Sequence, residues 1–277
     1  MAPKLREVGV RVVTAVIALA IFLFVIWMPG LHVAFAVLVS ILVMLGLYEL
    51  YAITRIRGFS PETIGGMLSG TAIALCGVSG SLTFVNYSFY GGCLLVAALH
   101  VVRGHLAVAG LASTIFGVAY VGWFGAHLVL IHGMADIGPG LVTLLFVILI
   151  ATDTGAYFVG GLIGKRKLAP KVSPNKTWEG AIAGFVCAML GGWAVYALQQ
   201  QGTISGFPDW TLPRYLQTAA ILSIASQIGD LAESALKRDA GIKDSGSIFP
   251  GHGGALDRCD GFLFTSPLLY YMTVPLF

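Results

Sequence analysis

Four carboxylates of this 277-residue chain stand inside apolar stretches: Glu49, Asp153, Asp230 and Glu233. An acid at the centre of a membrane helix costs about 2.5–3.5 kcal/mol on insertion scales, so a retained one usually serves a cation, a substrate or a proton. The competing role is a structural hydrogen bond or ion pair between helices. Function is the better reading for Asp153, Asp230 and Glu233, and the two stand level for Glu49. Spacing groups these residues. Ser226, Asp230, Glu233 and Lys237 fall at i, i+4, i+7 and i+11, on one helix face. Asp153, Tyr157, Gly160 and Gly164 repeat the interval on a second helix. Both stripes run toward basic segments, which predicts a cavity opening at one end of a bundle.

Those basic segments hold the remaining chemistry. Residues 164–177 carry Lys165, Arg166, Lys167, Lys171 and Lys176 and no acid. Ser173, Asn175 and Thr177 add donors, and an arginine fork suits phosphate oxygens. The plainer alternative is a basic loop drawn to anionic lipid headgroups. Ser173-Pro174 is placed to turn the chain, and Thr177 to cap the helix that follows. Residues 237–260 mix Lys237, Arg238, Lys243 and Arg258 with Asp239, Asp244, Asp257 and Asp260. Glycines around His252, among them Gly253 and Gly254, let backbone N–H groups approach an anion. Asp257 and Asp260, at i and i+3, offer hard oxygens to Mg²⁺, with Arg258 between them to neutralise a phosphate. A Gly-rich turn leading into a capped helix is the plainer reading of this segment.

The elements that must position these groups are membrane helices. Hydrophobic residues make up 57% of the chain and charged residues 10%, with a mean hydropathy of +0.87. A soluble domain carries about 25% charged residues, so this chain cannot cover a water-exposed surface. Apolar runs near the 20 residues needed to span hydrocarbon appear at about 10–28, 32–52, 64–84, 88–101, 106–131, 138–163, 178–198, 215–236 and 261–277. The fifth is long enough to tilt or break. The first is too long for a secretory signal and lacks a cleavage site, so it reads as a retained helix. Nine alternating spans with a cytoplasmic N-terminus put every basic residue except Arg214 inside. The expectation is an all-α polytopic bundle: four N-terminal helices in 1–105, two middle helices in 106–163 and a catalytic region in 164–277. Cys76, Cys93, Cys187 and Cys259 are scattered without metal-ligand or disulfide spacing.

The string Ser234-x-x-Lys237-Arg238, then Lys243-Asp244, then Pro250-Gly251-His252-Gly253-Gly254-x-x-Asp257-Arg258-x-Asp260 resembles the signature of the phosphatidate cytidylyltransferase family at every fixed position. Segments 227–234, 153–157 and 173–180 are similar to further family patterns, although Phe249 stands where leucine is more usual. The likeness is dense over residues 150–267, and the first half agrees mainly in hydropathy and span number. It implies transfer of a cytidylyl group from CTP to phosphatidic acid, giving CDP-diacylglycerol and pyrophosphate, with Mg²⁺ as cofactor and a second cation such as K⁺ left open. The lipid phosphate is largely dianionic at neutral pH, so the chemical problem is to bring two anions together in line.

On this basis the metal ligands are Asp230 and Asp257, then Asp260 and Glu233. Lys237, Arg238, Lys243 and Arg258 contact phosphates, Asp244 joins the catalytic set, and His252 either donates to phosphate or orders its loop. The substrate-binding set is Asp153, Tyr157, Lys165, Ser173, Asn175, Lys176, Thr177, Glu179, Ser234, Gly253 and Gly254. The partners are CTP, phosphatidic acid and the bilayer of the inner (cytoplasmic) membrane, with a homodimer left open and no nucleic acid. CTP is soluble, so its site must meet the cytosol, whereas the lipid enters sideways between helices with the 106–131 run as one candidate wall. Two rivals remain. A CTP-dependent polyprenol or lipid kinase, similar in its C-terminal region, would transfer the γ-phosphate. A secondary transporter would use Asp153, Asp230 and Glu233 as a relay, but no internal repeat is visible.

Overall fold

Backbone N–H and C=O groups find no water in hydrocarbon, so apolar runs of this length close their own hydrogen bonds as helices. The computed structural model describes residues 20–202, 205–248 and 253–274. Residues 20–27 are helical and lead into α1 (His32–Ile56), α2 (Thr63–Cys76, prolonged by a 3₁₀ turn Gly77–Ser79) and α3 (Leu82–Val102). Next come α4 (Val108–Gly117), a π-helical turn (Val118–Trp123) and α5 (Phe124–His132), which run on as one helix. They are followed by α6 (Gly138–Ile163), α7 (Trp178–Gln200), α8 (Leu212–Asp239) and α9 (Leu256–Thr273). Five of these are long and apolar enough to cross a membrane: α1, α3, Val108–His132, α6 and α7. The chain is a helical membrane protein.

The structure corrects several sequence-based boundaries. The run at 64–84 does not continue, because Gly80 takes a left-handed conformation (φ 67°) and Ser81 caps a new helix by accepting from the Phe84 N–H. Its helix therefore stops at Ser79, and the next begins six residues earlier than its apolar run at 88–101. At the other end, α8 continues to Asp239 and α9 begins at Leu256, so Lys237, Asp257 and Asp260 sit on helix ends and not in a loop. The basic segment is also ordered. Lys167–Ala169 (β1) and Ser173–Thr177 (β2) pair antiparallel, and the chain turns at 170–172, ahead of Ser173-Pro174. Thr177 does cap α7, its hydroxyl accepting from the Gly180 N–H at 3.1 Å.

Close helix packing in lipid relies on small residues. The α6–α7 seam is the clearest case: a Cβ added to Gly184 would meet the Thr152 carbonyl oxygen at 2.6 Å, and one added to Gly155 would meet Cys187 Sγ at 2.6 Å. Helix α9 packs on α8, α5 and α1, which brings the C-terminal string against the first half of the chain.

The basic segments converge at one end of this bundle. Arg57 pairs with Asp239 at 2.8 Å, Arg103 with Glu62 at 2.6 Å, and Arg238 donates to the Val172 carbonyl at 3.2 Å. Arg214 lies elsewhere, over the Trp210 ring and donating to the Met272 carbonyl at the far end of α9.

Candidate active site

The convergent end is organised by a lysine between two acids. Glu233 and Lys237 are one turn apart on α8, and Asp257 opens α9. Lys237 Nζ lies 2.5 Å from Glu233 Oε2 and 2.6 Å from Asp257 Oδ1. The other oxygen of Asp257 accepts from the backbone N–H groups of Ser245 (3.0 Å) and Gly254 (2.8 Å). Asp257 thus ties two points of the segment between α8 and α9, Ser245 and Gly254, to the start of α9. Gly253 stands there with φ 83°, a conformation that side chains oppose. Glu233 is buried, and neither oxygen accepts a hydrogen bond of good geometry even though Lys237 is near.

Around this trio the other acids gather. Asp230 forms an ion pair with Lys176 of β2 and accepts from the Ser234 hydroxyl at 3.4 Å. Its charge acts on Asp153 of α6 and Asp260 of α9, and that of Asp260 acts on Glu233. Three helices and the ribbon therefore contribute to one polar patch, which the α8 stripe reaches through Asp230, Glu233 and Lys237 and the α6 stripe through Asp153. Asp260 also accepts the Gly261 N–H at 2.8 Å.

Two of the residues expected at the ligands also make contacts within the scaffold. Glu179 accepts the N–H groups of Lys165 (3.1 Å) and Arg166 (3.2 Å), fixing the start of the ribbon. Arg238 donates from Nε to the Val172 carbonyl and from Nη1 to the Ile242 carbonyl. Tyr157 faces outward at 78% exposure beside Phe158. Lys165, Asn175, Lys243 and Asp244 are exposed, with Ser173 half-buried in β2. His252 lies outside the described residues.

Two participants stand outside the anticipated set. Glu49 of α1, 2% exposed, accepts from the Ser245 hydroxyl (2.8 Å) and from the N–H groups of Ala255 (3.0 Å) and Leu256 (2.9 Å). It caps α9 from another helix, and its charge suits the positive N-terminal end of the dipole. Tyr120, buried in the π-helical turn, has a hydroxyl without a partner and feels the charges of Asp260 and Glu233. Spacing signalled neither role; a membrane-buried acid at Glu49 was the one available hint.

Beside the patch lies a largely apolar cavity of about 430 Å³, walled by Leu42, Gly46, Val121, Phe146 and Phe262, with Arg258 on its lining. Val121 belongs to the 106–131 run singled out as a candidate wall. Helix α9 thus presents Arg258 to an apolar chamber and Asp257 to Lys237.

A family model described as "Cytidylyltransferase family" matches residues 9–276. The chain belongs to this family. Among its cytidylyltransferase relatives, a protein named phosphatidate cytidylyltransferase from Brucella suis biovar 1 (strain 1330) is 38% identical over 263 residues, covering 94% of this chain and 91% of the relative. One of the same name from Bacillus subtilis (strain 168) is 33% identical, covering 95% and 96%. A third, from Staphylococcus haemolyticus (strain JCSC1435), is 35% identical, covering 96% and 98%.

Proposed function

We propose that this cytidylyltransferase moves the cytidylyl group of CTP onto phosphatidic acid, forming CDP-diacylglycerol and releasing pyrophosphate. One observation carries the reading: Lys237 stands between Glu233 and Asp257, with Asp230 and Lys176 paired, and the residue after Asp257, Arg258, lines an apolar cavity. Two polyanionic substrates need cations arranged this way before the lipid phosphate can approach the α-phosphate.

The acids suit a divalent metal. Their oxygens are hard donors, Glu233 keeps a buried Oε1 without a partner, and the ammonium groups of Lys176 and Lys237 sit on Asp230, Glu233 and Asp257 as stand-ins for a cation. Asp230 and Asp257 would hold Mg²⁺, supported by Asp260 and Glu233. When bound, Mg²⁺ neutralises phosphate charge and polarises the α-phosphate. The lysines then have phosphate oxygens as alternative partners. Asp153 shapes the field around Asp230, and Arg258 meets the lipid phosphate while an acyl chain lies in the cavity.

The placement that fits this chemistry is nine spans with the N-terminus and the basic end in the cytoplasm. There CTP arrives from the cytosol and the lipid from the inner membrane. Purified protein, phosphatidic acid and Mg²⁺ with CTP labelled on the α- or γ-phosphate test the reaction. Label from the α-phosphate should enter the lipid and label from the γ-phosphate should leave as pyrophosphate. Entry of the γ-label into the lipid with the α-label released as CDP identifies a lipid kinase, and no transfer of either label refutes the proposal. Chelation by EDTA should stop turnover, and Mg²⁺ should restore it.

A further inference from the structure

A second polar cluster lies between the start of α2 and the end of α3. Glu62, at the N-cap position of α2, is buried, and its backbone N–H donates to the Thr114 hydroxyl at 2.8 Å. Its Oε2 accepts from Arg103 at 2.6 Å. Its Oε1 lies 2.6 Å from Nδ1 of His105 and 3.4 Å from Nδ1 of His100. Burial alone would push the Glu62 carboxyl up. The hydrogen bond with His105 and the charge of Arg103 outweigh it and hold the group below its ordinary value. One atom is left over: His100 is 4% exposed, and its Nδ1 is buried without a hydrogen-bond partner while facing Oε1. Among the described residues this is the one group of three such ligand atoms lying within 4.8 Å of each other.

We propose that Glu62 Oε1, His100 Nδ1 and His105 Nδ1 bind one divalent transition-metal ion, for which Zn²⁺ is the best fit. Two imidazoles and a carboxylate suit Zn²⁺ better than Mg²⁺, which prefers an all-oxygen shell. Ligands about 2.0–2.2 Å from a tetrahedral ion lie roughly 3.3–3.5 Å apart. The His100–Glu62 separation of 3.4 Å already has that value. The 2.6 Å His105–Glu62 separation opens when the ion replaces the proton between them, and that proton leaves to solvent. Arg103 stays on Oε2 and orients the carboxylate, as outer-shell partners do. The side chain of His105 is 43% exposed, which provides a path in and a water-filled fourth position. The ion would pin the start of α2 to the segment after α3 on ligands distinct from the acids of α8 and α9, and its binding does not depend on their chemistry.

Full-length protein in detergent, stripped with EDTA and titrated with Zn²⁺, tests this by calorimetry and by metal analysis after desalting. The wild type should retain one equivalent and unfold at a higher temperature with Zn²⁺ than without. Co²⁺ should give the visible spectrum of a nitrogen-ligated tetrahedral site. His105→Ala, at a half-exposed position that tolerates the change, should lose the retained equivalent and the thermal shift. Asp257→Asn should keep both. Equal Zn²⁺ retention by wild type and His105→Ala, or none by either, overturns the proposal.

Discussion

Glu49→Gln tests whether the loop that presents Asp257 and Arg258 is held from α1. Glu49 accepts three hydrogen bonds, from the Ser245 hydroxyl and from the N–H groups of Ala255 and Leu256, at 2.8–3.0 Å. Bonds to a charged acceptor contribute about 1.5–3 kcal/mol each, and a buried donor left unpaired costs about 1–3 kcal/mol. Glutamine keeps one carbonyl oxygen and turns an amide N–H₂ toward a donor. With the amide oxygen in place of Oε2 only the Ala255 N–H loses its acceptor; in place of Oε1, Ser245 can rotate its hydroxyl to accept and only the Leu256 N–H does, so one of the three contacts is lost either way. The net loss is about 2–4 kcal/mol. At about 2–4 °C per kcal/mol, the unfolding midpoint should fall by roughly 4–16 °C. The freed N–H loosens the first turn of α9, which carries Asp257, so kcat/KM for CTP should drop at least tenfold, although Glu49 touches no substrate in the proposed scheme. Thermal unfolding in detergent and pyrophosphate release measure the two effects. An unfolding midpoint within 1 °C of wild type together with turnover within twofold would refute the capping argument.

The same loop should reject a methyl group at Gly254, where a Cβ would lie 2.5 Å from Glu49 Oε1 and still closer to Ser245 Oγ. Gly254→Ala should therefore lose at least tenfold in turnover, while Gly161→Ala, whose Cβ meets nothing within 4 Å, stays within twofold. Asp257→Asn removes the charge facing Lys237 and should lower cytidylyl transfer by more than a hundredfold while the protein stays monodisperse on size exclusion. Wild-type turnover in that variant would remove Asp257 from the site.

Helix positions were legible because lipid demands about 20 apolar residues per crossing, and that demand leaves a mark in any window. The stripe from Ser226 to Lys237 was legible for a related reason: a polar residue facing hydrocarbon is costly, so polar positions fall on the helix face that meets other polar groups. The ribbon was not legible. Strands of three and five residues, interrupted by Pro174, carry no alternating apolar pattern, and the ribbon they form is docked on α8 by Lys176 on Asp230 and Arg238 on Val172. The start of α9 was missed because polar residues from Asp257 to Asp260 look like loop until a cap is supplied. That cap, Glu49, is 207 residues from the Leu256 N–H it satisfies. Partners so distant in the chain leave no local periodic trace.

The π-helical turn at Val118–Trp123 inserts a surplus residue into an otherwise regular helix. Heptad-style bookkeeping therefore slips by one position between Gly117 and Phe124, and a helical wheel drawn through the whole segment assigns the wrong faces to one half. Trimming a single residue there would re-phase the two halves into an ordinary α-helix. Tyr120 would then turn away from Asp260 and Glu233, while the outer ends of the segment could keep their neighbours.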